Sequence, residues 1–176
     1  MILGCVLAGG TASRFGSDKA LAQLKGQSLL ARAVDTLSGW CDAVVVVGRD
    51  QAPAPTLPDW PRPGMGPLGG IAAALRHGQD AGYETVLTCG VDAPFLPENL
   101  PELLNPAPAY LTDQPIIGLW PANAASAVEA ILTSPGKHSM RALAEAINAR
   151  PVHLPAAPAN INTPADLRAA ETQHGL

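Results

Sequence analysis

The sequence predicts a three-layer α-β-α fold, in which helices cover both faces of a mostly parallel β-sheet. Apolar runs alternate with segments of helical periodicity through the first ninety residues, as in chains built from β-α-β units. The run from Ala43 to Val47 is apolar at every position, which is typical of a strand covered on both faces. A chain of 176 residues can form one sizeable core. We therefore expect a single domain spanning residues 1–176.

The first five elements are predicted to follow the order β-α-β-α-β. The strands are Ile2 to Leu7, Ala43 to Val47 and Thr85 to Cys89; helical spacing connects Leu30, Ala33, Val34 and Leu37, and later Leu68, Ile71 and Leu75. Residues 51–63 contain five prolines and little periodicity. We expect them to form a long surface connection of the kind that often covers a ligand.

The second half has weaker patterns. They predict a strand at Pro115 to Trp120, helices at Ala124 to Leu132 and Met140 to Ile147, and a short strand at Pro151 to Leu154. A final helix is indicated more clearly. Thr163 suits its N-cap, Pro164 its first position, and Asp166 completes a sequence that resembles a capping box.

Composition limits the classes of function. The net charge is -4 and only 11 residues are basic, which argues against a nucleic-acid groove. The apolar N-terminus lacks a basic region and is interrupted at Gly9 and Gly10, so it predicts a strand and neither a signal peptide nor a membrane span. Cys5, Cys41 and Cys89 are odd in number and lack metal-ligand spacing. We expect a cytoplasmic protein.

The loop from Leu7 to Lys19, directly after the first strand, is predicted to bind phosphate. Gly9 and Gly10 lack Cβ atoms, so their backbone can turn sharply and present N–H groups to phosphate oxygens. Arg14 and Lys19 supply positive charge, and Lys19 is one of only three lysines. The alternative is a strand-to-helix loop whose charges are merely solvated. The combination of strand, glycines and two cations favours phosphate binding.

Two acidic or glycine-rich segments are candidates for the rest of the site. Residues 64–69 match G-x-G-x-x-G but follow a proline-rich loop, so they are no dinucleotide fingerprint; a structural turn and a nucleoside shelf remain equally open. Asp92 follows the strand that begins at Thr85, so its carboxylate should lie at the ligand edge of the sheet and bind Mg²⁺. Its alternative role is a turn or cap before Pro94.

Two further segments are ambiguous from chemistry alone. Asp59 lies in the proline-rich loop. Asn160, Ile161 and Asn162 favour a polar turn over a metal or phosphate ligand.

These motifs, in this order, resemble those of bacterial molybdenum cofactor guanylyltransferases. The shared segments are Leu-Ala-Gly-Gly at 7–10, Ser-Arg-Phe-Gly at 13–16, Asp-Lys at 18–19, Gly-Pro-Leu-Gly-Gly at 66–70, Val-Asp-Ala-Pro at 91–94 and Asn-Ile-Asn-Thr-Pro at 160–164. The resemblance spans residues 3–167. It implies a Rossmann-like sheet of the nucleotide-diphospho-sugar transferase type and transfer of GMP from GTP to molybdopterin, giving the guanine dinucleotide and pyrophosphate.

The resemblance also implies roles for individual residues. Lys19, Arg14 and Asp92 would be catalytic, with Mg²⁺ at Asp92 and with Asn162 near the metal or the pterin phosphate. Asp59 would lie beside the guanosine. The residues implied to contact GTP are Leu7, Ala8, Gly9, Gly10, Lys19, Asp59, Gly66, Pro67, Leu68 and Asp92.

Some residues bear on specificity. Leu-Ala-Gly-Gly together with Gly-Pro-Leu-x-Gly favours guanine, because cytidylyl relatives more often carry Leu-Ala-Ala-Gly and lack the second motif. The sequence departs from the family pattern at Ala12, Phe15 and Val47. Val47 stands where some members have an asparagine that contacts the nucleotide, which puts that contact in doubt.

The same resemblance gives an expected organisation and expected partners. Residues 1–95 would form the nucleotide-binding half and residues 96–176 the pterin or acceptor half, where Arg141 is a candidate for a pterin phosphate. GTP and molybdopterin would be the substrates, with transient contact with molybdopterin-handling proteins and molybdoenzymes. The composition and the N-terminal pattern described above argue against a nucleic acid or a membrane as partner. The alternatives are a cytidylyl or sugar-phosphate transferase and a GTP-binding adaptor that carries finished cofactor.

Overall fold

A computed structural model describes residues 1–9 and 18–173. Within these ranges the central feature is a seven-stranded sheet with the order β5-β4-β1-β6-β8-β7-β9. Its strands are β1 (Ile2–Leu7), β4 (Ala43–Val47), β5 (Thr56–Leu57), β6 (Thr85–Gly90), β7 (Ala109–Leu111), β8 (Gly118–Pro121) and β9 (Arg150–Val152). A separate small hairpin joins β2 (Gln23–Leu24) to β3 (Gln27–Ser28).

The sheet is parallel except at β8, which runs antiparallel to both of its neighbours. β1 lies between β4 and β6, and its last residue, Leu7, is in register with Val47 and with Gly90. The carboxyl ends of three parallel strands therefore meet at one edge. Ligands of open α/β sheets bind beyond such an edge.

Helices cover both faces of the sheet. One layer contains α1 (Leu29–Ser38), α3 (Leu100–Leu104) and α6 (Pro164–Gln173), whose buried residues share one core cluster. The opposite layer contains α2 (Pro67–Ala81), α4 (Ala125–Leu132) and α5 (Met140–Ala146), which share the second. The predicted three-layer α-β-α fold is confirmed. None of the described helices combines the length and the apolar character that crossing a bilayer requires.

The two ends of α2 follow from local sequence. Pro67 occupies the first turn, where its missing N–H would have no helical partner, and Gly66 before it has φ of 74°. Gly82 ends the helix with φ of 85°, and its N–H donates to the carbonyls of Gly78 and Gln79. Glycine is favoured at both ends because a side chain is strained at positive φ.

A buried hydrogen bond ties the antiparallel strand to the parallel half. Trp120 on β8 is fully buried, and its Nε1 donates to Oγ1 of Thr88 on β6 at 3.0 Å. Thr88 Oγ1 in turn donates to the carbonyl of Ile116 at 2.6 Å. The indole therefore contributes its large apolar area to the core without leaving a buried donor unpaired.

The predicted elements of the first half are confirmed, with bounds that differ by a residue or two. In the second half the predicted strand at Pro115 begins only at Gly118, and the proline-rich connection contains the two-residue strand β5. The patterns also missed α3, β7 and the hairpin strands β2 and β3. All four are too short for periodicity, and prolines surround α3 and β7.

Candidate active site

A cleft of about 490 Å³ opens at the edge where β1, β4 and β6 end. Its volume suits a ligand of nucleotide size. It is lined by Leu7, Gly9, Lys19, Val47, Gly48, Asp59, Gly64, Gly66, Pro67, Gly70, Gly90, Val91, Asp92 and Ile116. Segments that are distant in the sequence therefore meet in one concave surface.

Three glycines allow the backbone segments to approach closely enough to form this cleft. Gly48 has φ of 89°, and a Cβ there would collide with the backbone N and Cα of Gly9. A Cβ on Gly70 would lie 2.6 Å from Cγ2 of Val47 and 2.8 Å from Cδ2 of Leu7. The start of α2 can therefore rest directly on the ends of β1 and β4.

Lys19 enters the cleft from a short 3-10 helix, Lys19–Leu21. Asp18 caps that helix, since its Oδ1 accepts from the N–H of Ala20 at 3.3 Å. Arg49 Nη1 donates to Asp18 Oδ1 at 2.9 Å and lies 2.8 Å from Oδ2. The segment that carries Lys19 is thereby connected to the residue after the turn at the end of β4.

Asp92 lies just beyond β6, and its carboxylate extends over Gly90, where a Cβ would be 2.9 Å from Oδ1. The Asp92 carbonyl accepts from the N–H of Ile161 at 2.6 Å. With the Asn160 amide oriented to satisfy its neighbours, its nitrogen donates to Asp92 Oδ2 at 3.0 Å and its oxygen accepts from Asn162 Nδ2 at 3.0 Å. Asn160 thus connects Asn162 to Asp92.

The start of α6 holds this amide pair in place. Asp166 Oδ2 accepts from the N–H groups of Asn162 and Thr163, both at 2.9 Å, while Thr163 Oγ1 accepts from the N–H of Asp166 at 3.1 Å. These hydrogen bonds form the reciprocal capping box that the sequence predicted. They lower the pKa of Asp166, led by the bond from Asn162, and the positive charge of Lys19 acts in the same direction. The charge of Lys19 therefore interacts with the carboxylate of Asp166 at the start of α6.

Asp59 also lines the cleft. Burial raises the pKa of its carboxyl group. The next residue, Trp60, donates its backbone N–H to the Gly69 carbonyl at 3.0 Å, and the Arg76 guanidinium lies 5.4 Å from the centre of the Trp60 ring. The proline-rich loop is in this way fastened to α2, beside Gly66 and Pro67. A planar base could lie against this glycine-rich surface with polar contacts from Asp59.

The structure brings most of the described candidates together. The predicted residues that line the cleft are Leu7, Gly9, Lys19, Asp59, Gly66, Pro67 and Asp92. Ala8 and Leu68 are buried in the two core clusters, and the Ala8 N–H donates to the Val47 carbonyl. Asn162 reaches the cleft only through Asn160. Gly10 and Arg14 lie outside the described residues.

Sequence reasoning missed several residues that form this region. Gly48 and Gly90 make room for the backbone and for the Asp92 carboxylate, Ile116 lines the cleft beside Gly90, and Arg49 pairs with Asp18. Gly48 and Arg49 follow an apolar strand, as Asp92 does. A search for polar or glycine residues after each buried strand would have found Gly48 and Arg49.

Comparison with known proteins gives the family. A model described as the MobA-like NTP transferase domain matches residues 4–152. A molybdenum cofactor guanylyltransferase of Acidiphilium cryptum (strain JF-5) is 38% identical, with 94% of this chain and 92% of the relative covered. The chain belongs to the MobA-like nucleotidyltransferase family. The predicted family and the predicted enzyme class are both confirmed.

Further relatives agree with this MobA-like assignment. A molybdenum cofactor guanylyltransferase of Rhodobacter capsulatus is 35% identical, with 97% of this chain and 95% of the relative covered. A solved structure, molybdopterin-guanine dinucleotide biosynthesis protein A from Archaeoglobus fulgidus, has a TM-score of 0.74 at 24% identity and covers 98% of both chains. At that identity the structure supports the fold alone. The family match contains Lys19, Asp59 and Asp92 and ends before the capping box of α6.

Proposed function

We propose that this MobA-like chain transfers GMP from GTP to molybdopterin and releases pyrophosphate. One observation carries the proposal: a single cleft gathers a glycine turn, a lysine and two carboxylates from separate segments at the carboxyl edge of the sheet. The names of the relatives support the choice of both substrates.

The residues present fit a bound Mg²⁺. Mg²⁺ in phosphate sites is commonly held by one or two carboxylates, by substrate phosphates and by water. Asp92 offers one such carboxylate, fixed through Asn160, and no group of three or more His, Cys, Asp or Glu side chains that could hold a metal occurs in residues 1–9 and 18–173. Asp92 would therefore share the ion with the triphosphate, which would gain charge neutralisation from it.

In the proposed reaction, an oxygen of the terminal phosphate of molybdopterin bonds to the α-phosphorus of GTP. The bond from that phosphorus to the bridging oxygen of the β-phosphate breaks, and pyrophosphate leaves. The nucleophile is already an anion, so no general base is needed. The role of Lys19 is to place a positive charge beside the α-phosphate as negative charge develops there.

Guanine selection is assigned to the wall that contains Asp59. Guanine presents two neighbouring N–H donors on its pairing edge, and a carboxylate can accept both. Cytosine and adenine lack that pair of donors. The glycine-rich start of α2 would support the nucleoside beside Asp59 through Gly66, Pro67 and the backbone of Leu68.

The cellular setting and the organisation of the chain are part of the proposal. Cys5, Cys41 and Cys89 are free thiols, which suits the reducing cytoplasm. Residues 1–95 and 96–176 would be the nucleotide and acceptor halves of one domain. Transient contact with molybdopterin-handling proteins and with molybdoenzymes would deliver substrate and remove product.

The test is pyrophosphate release by the purified protein with Mg²⁺ and molybdopterin, with GTP, CTP, ATP and UTP compared in parallel. We expect release that requires the pterin and is selective for GTP. Selectivity for CTP would replace the proposal with a cytidylyltransferase. Tight GTP binding without pyrophosphate release would instead indicate a nucleotide-binding adaptor.

A further inference from the structure

Arg49 is a charged residue of the cleft region that the proposed mechanism does not use. It follows Gly48 at the end of β4, and only 19% of its side chain is exposed. Nη1 donates to Asp18 Oδ1 at 2.9 Å and lies 2.8 Å from Oδ2. Its Nε is buried without a hydrogen-bond partner among the residues that the structure describes. Burying a charged guanidinium costs free energy, so we expect Arg49 to have a role beyond solubility.

Its partner, Asp18, has an unfavourable position if it is left unpaired. Asp18 directly precedes Lys19 and caps the short helix that presents it. A free carboxylate here would repel the triphosphate and would compete with it for the Lys19 ammonium. Arg49 neutralises Asp18 and leaves the charge of Lys19 available for phosphate.

The backbone on the Arg49 side is firmly placed. Gly48 packs so closely on Gly9 that no side chain fits between them, and the preceding Val46 and Val47 are fully buried or nearly so. The guanidinium therefore extends from a rigid strand end to a short helix of only three residues. The ion pair is therefore one tertiary contact of the segment that carries Lys19, beside the burial of Ala20 in the core.

We propose that Arg49 is a positioning residue of the transferase site, which acts on Lys19 through Asp18 and not through the nucleotide. This inference rests on the proposed function. It assigns Asp18 and Arg49 as one unit, in which the loss of the Arg49 charge alone is more harmful than the loss of both charges.

The test is a double-mutant cycle of Arg49→Gln and Asp18→Asn, with Arg49→Lys as the conservative variant. Two readouts are measured: the affinity for GTP with Mg²⁺ by calorimetry, and kcat and KM for pterin-dependent pyrophosphate release. Asparagine is itself a good N-cap, so Asp18→Asn preserves the short helix. Glu129→Gln is the matched control, because it removes the charge of a carboxylate paired with an arginine outside the cleft lining and keeps Arg76 itself, which packs on Trp60.

We expect Arg49→Gln to lower kcat/KM for GTP about tenfold, the effect of one unpaired charge near the phosphates. The double variant should recover most of that loss, and Arg49→Lys should retain more activity than Arg49→Gln because one ammonium can pair with Asp18. Glu129→Gln should bind GTP as the wild type does.

Two outcomes would overturn the inference. A double variant as impaired as Arg49→Gln would mean that Arg49 contacts the nucleotide directly, and a fully active Arg49→Gln would mean that it has no role. If Arg49→Gln does not fold, the double variant is compared with Asp18→Asn alone, and equal GTP affinity supports the coupling while weaker affinity overturns it. Wild-type protein that binds GTP without releasing pyrophosphate would refute the proposed function, and the GTP affinities would still test Arg49.

Discussion

Lys19 is half-buried in the cleft, with the charge of Asp166 nearby and the helix-capping residue Asp18 directly before it. We predict that Lys19→Ala lowers transferase turnover at least about a hundredfold, because it removes one preorganised charge beside the α-phosphate. Thermal stability should change little, since the alanine keeps the backbone of the 3-10 helix. The measurement is kcat for pyrophosphate release with saturating GTP, together with the melting temperature.

The matched control is Lys137→Ala, which removes an exposed lysine outside the cleft lining. It should leave turnover within about twofold of the wild type, the size of effect that a distant surface charge produces. A Lys19→Ala enzyme with near-normal turnover would remove this lysine from the mechanism.

Asp59, to which we assign guanine selection, is also expected to lower the stability of the fold at neutral pH. Burial raises the pKa of its carboxyl group, so the fold favours the neutral form. The resulting stabilisation is complete below the unfolded pKa, about 3.9, and is lost as the pH rises through the higher folded value. At pH 7 the charged carboxylate therefore opposes folding.

We predict that Asp59→Asn melts at or above the wild-type temperature at pH 7 and that the difference shrinks as the pH falls toward 4. GTP affinity should fall about tenfold or more, since a charged acceptor for the base is lost. Melting curves across pH and calorimetric GTP titrations test both. Asp80→Asn, on the exposed side of α2, should change neither quantity; a destabilised Asp59→Asn protein at pH 7 would refute the desolvation argument.

At the scale of elements, the turn after β4 determines how closely the end of β4 and Gly9, just after β1, approach each other. We predict that Gly48→Ala destabilises the fold by more than the ~1–2 kcal/mol that a left-handed backbone costs alanine, because its Cβ also collides with Gly9. The Gly48→Ala variant should also lose GTP binding. Urea unfolding and GTP titration are the measurements.

The variant Gly26→Ala separates backbone strain at positive φ from the collision with Gly9. Gly26 has φ of 75°, with no atom within 4 Å of an added Cβ, so it carries the backbone strain without the collision. It should be destabilised by roughly 1–2 kcal/mol and bind GTP normally. Equal behaviour of the two alanine variants would show that the contact between Gly48 and Gly9 does not matter.

The same elements show how far sequence reasoning extends. Lys19 and Gly9 were predicted because their chemistry is local, lying in one loop after one strand. Asp92 was predicted from strand order. Arg49 and Asn160 could not be given roles in this way, because their partners, Asp18 and Asp92, are separated from them by long stretches of chain and become neighbours only when the sheet forms. The helix α3 was missed because five residues are too few to show a period.

At the scale of the whole molecule, residues 1–95 and residues 96–176 contribute strands to one sheet. β6 pairs with β8 along four residues, and the buried Trp120 and Thr88 join them further. We predict a single cooperative thermal transition with an unfolding enthalpy of about 120 kcal/mol near 60 °C. Scanning calorimetry tests this through the equality of calorimetric and van 't Hoff enthalpies. Two resolved transitions would show that the halves unfold separately.

The hydrogen bonds at Asp92 also have a consequence for the order of events on the ribosome. The strands β1, β4 and β6, with the glycine turn and Lys19, leave the ribosome early and can begin to pair as they emerge. Asp92 emerges with them, but the amide and backbone groups that hold it belong to residues 160–162. In a nascent chain, Lys19 is therefore present long before the Asp92 carboxylate is held in place. The site becomes complete only after α6 has been synthesised.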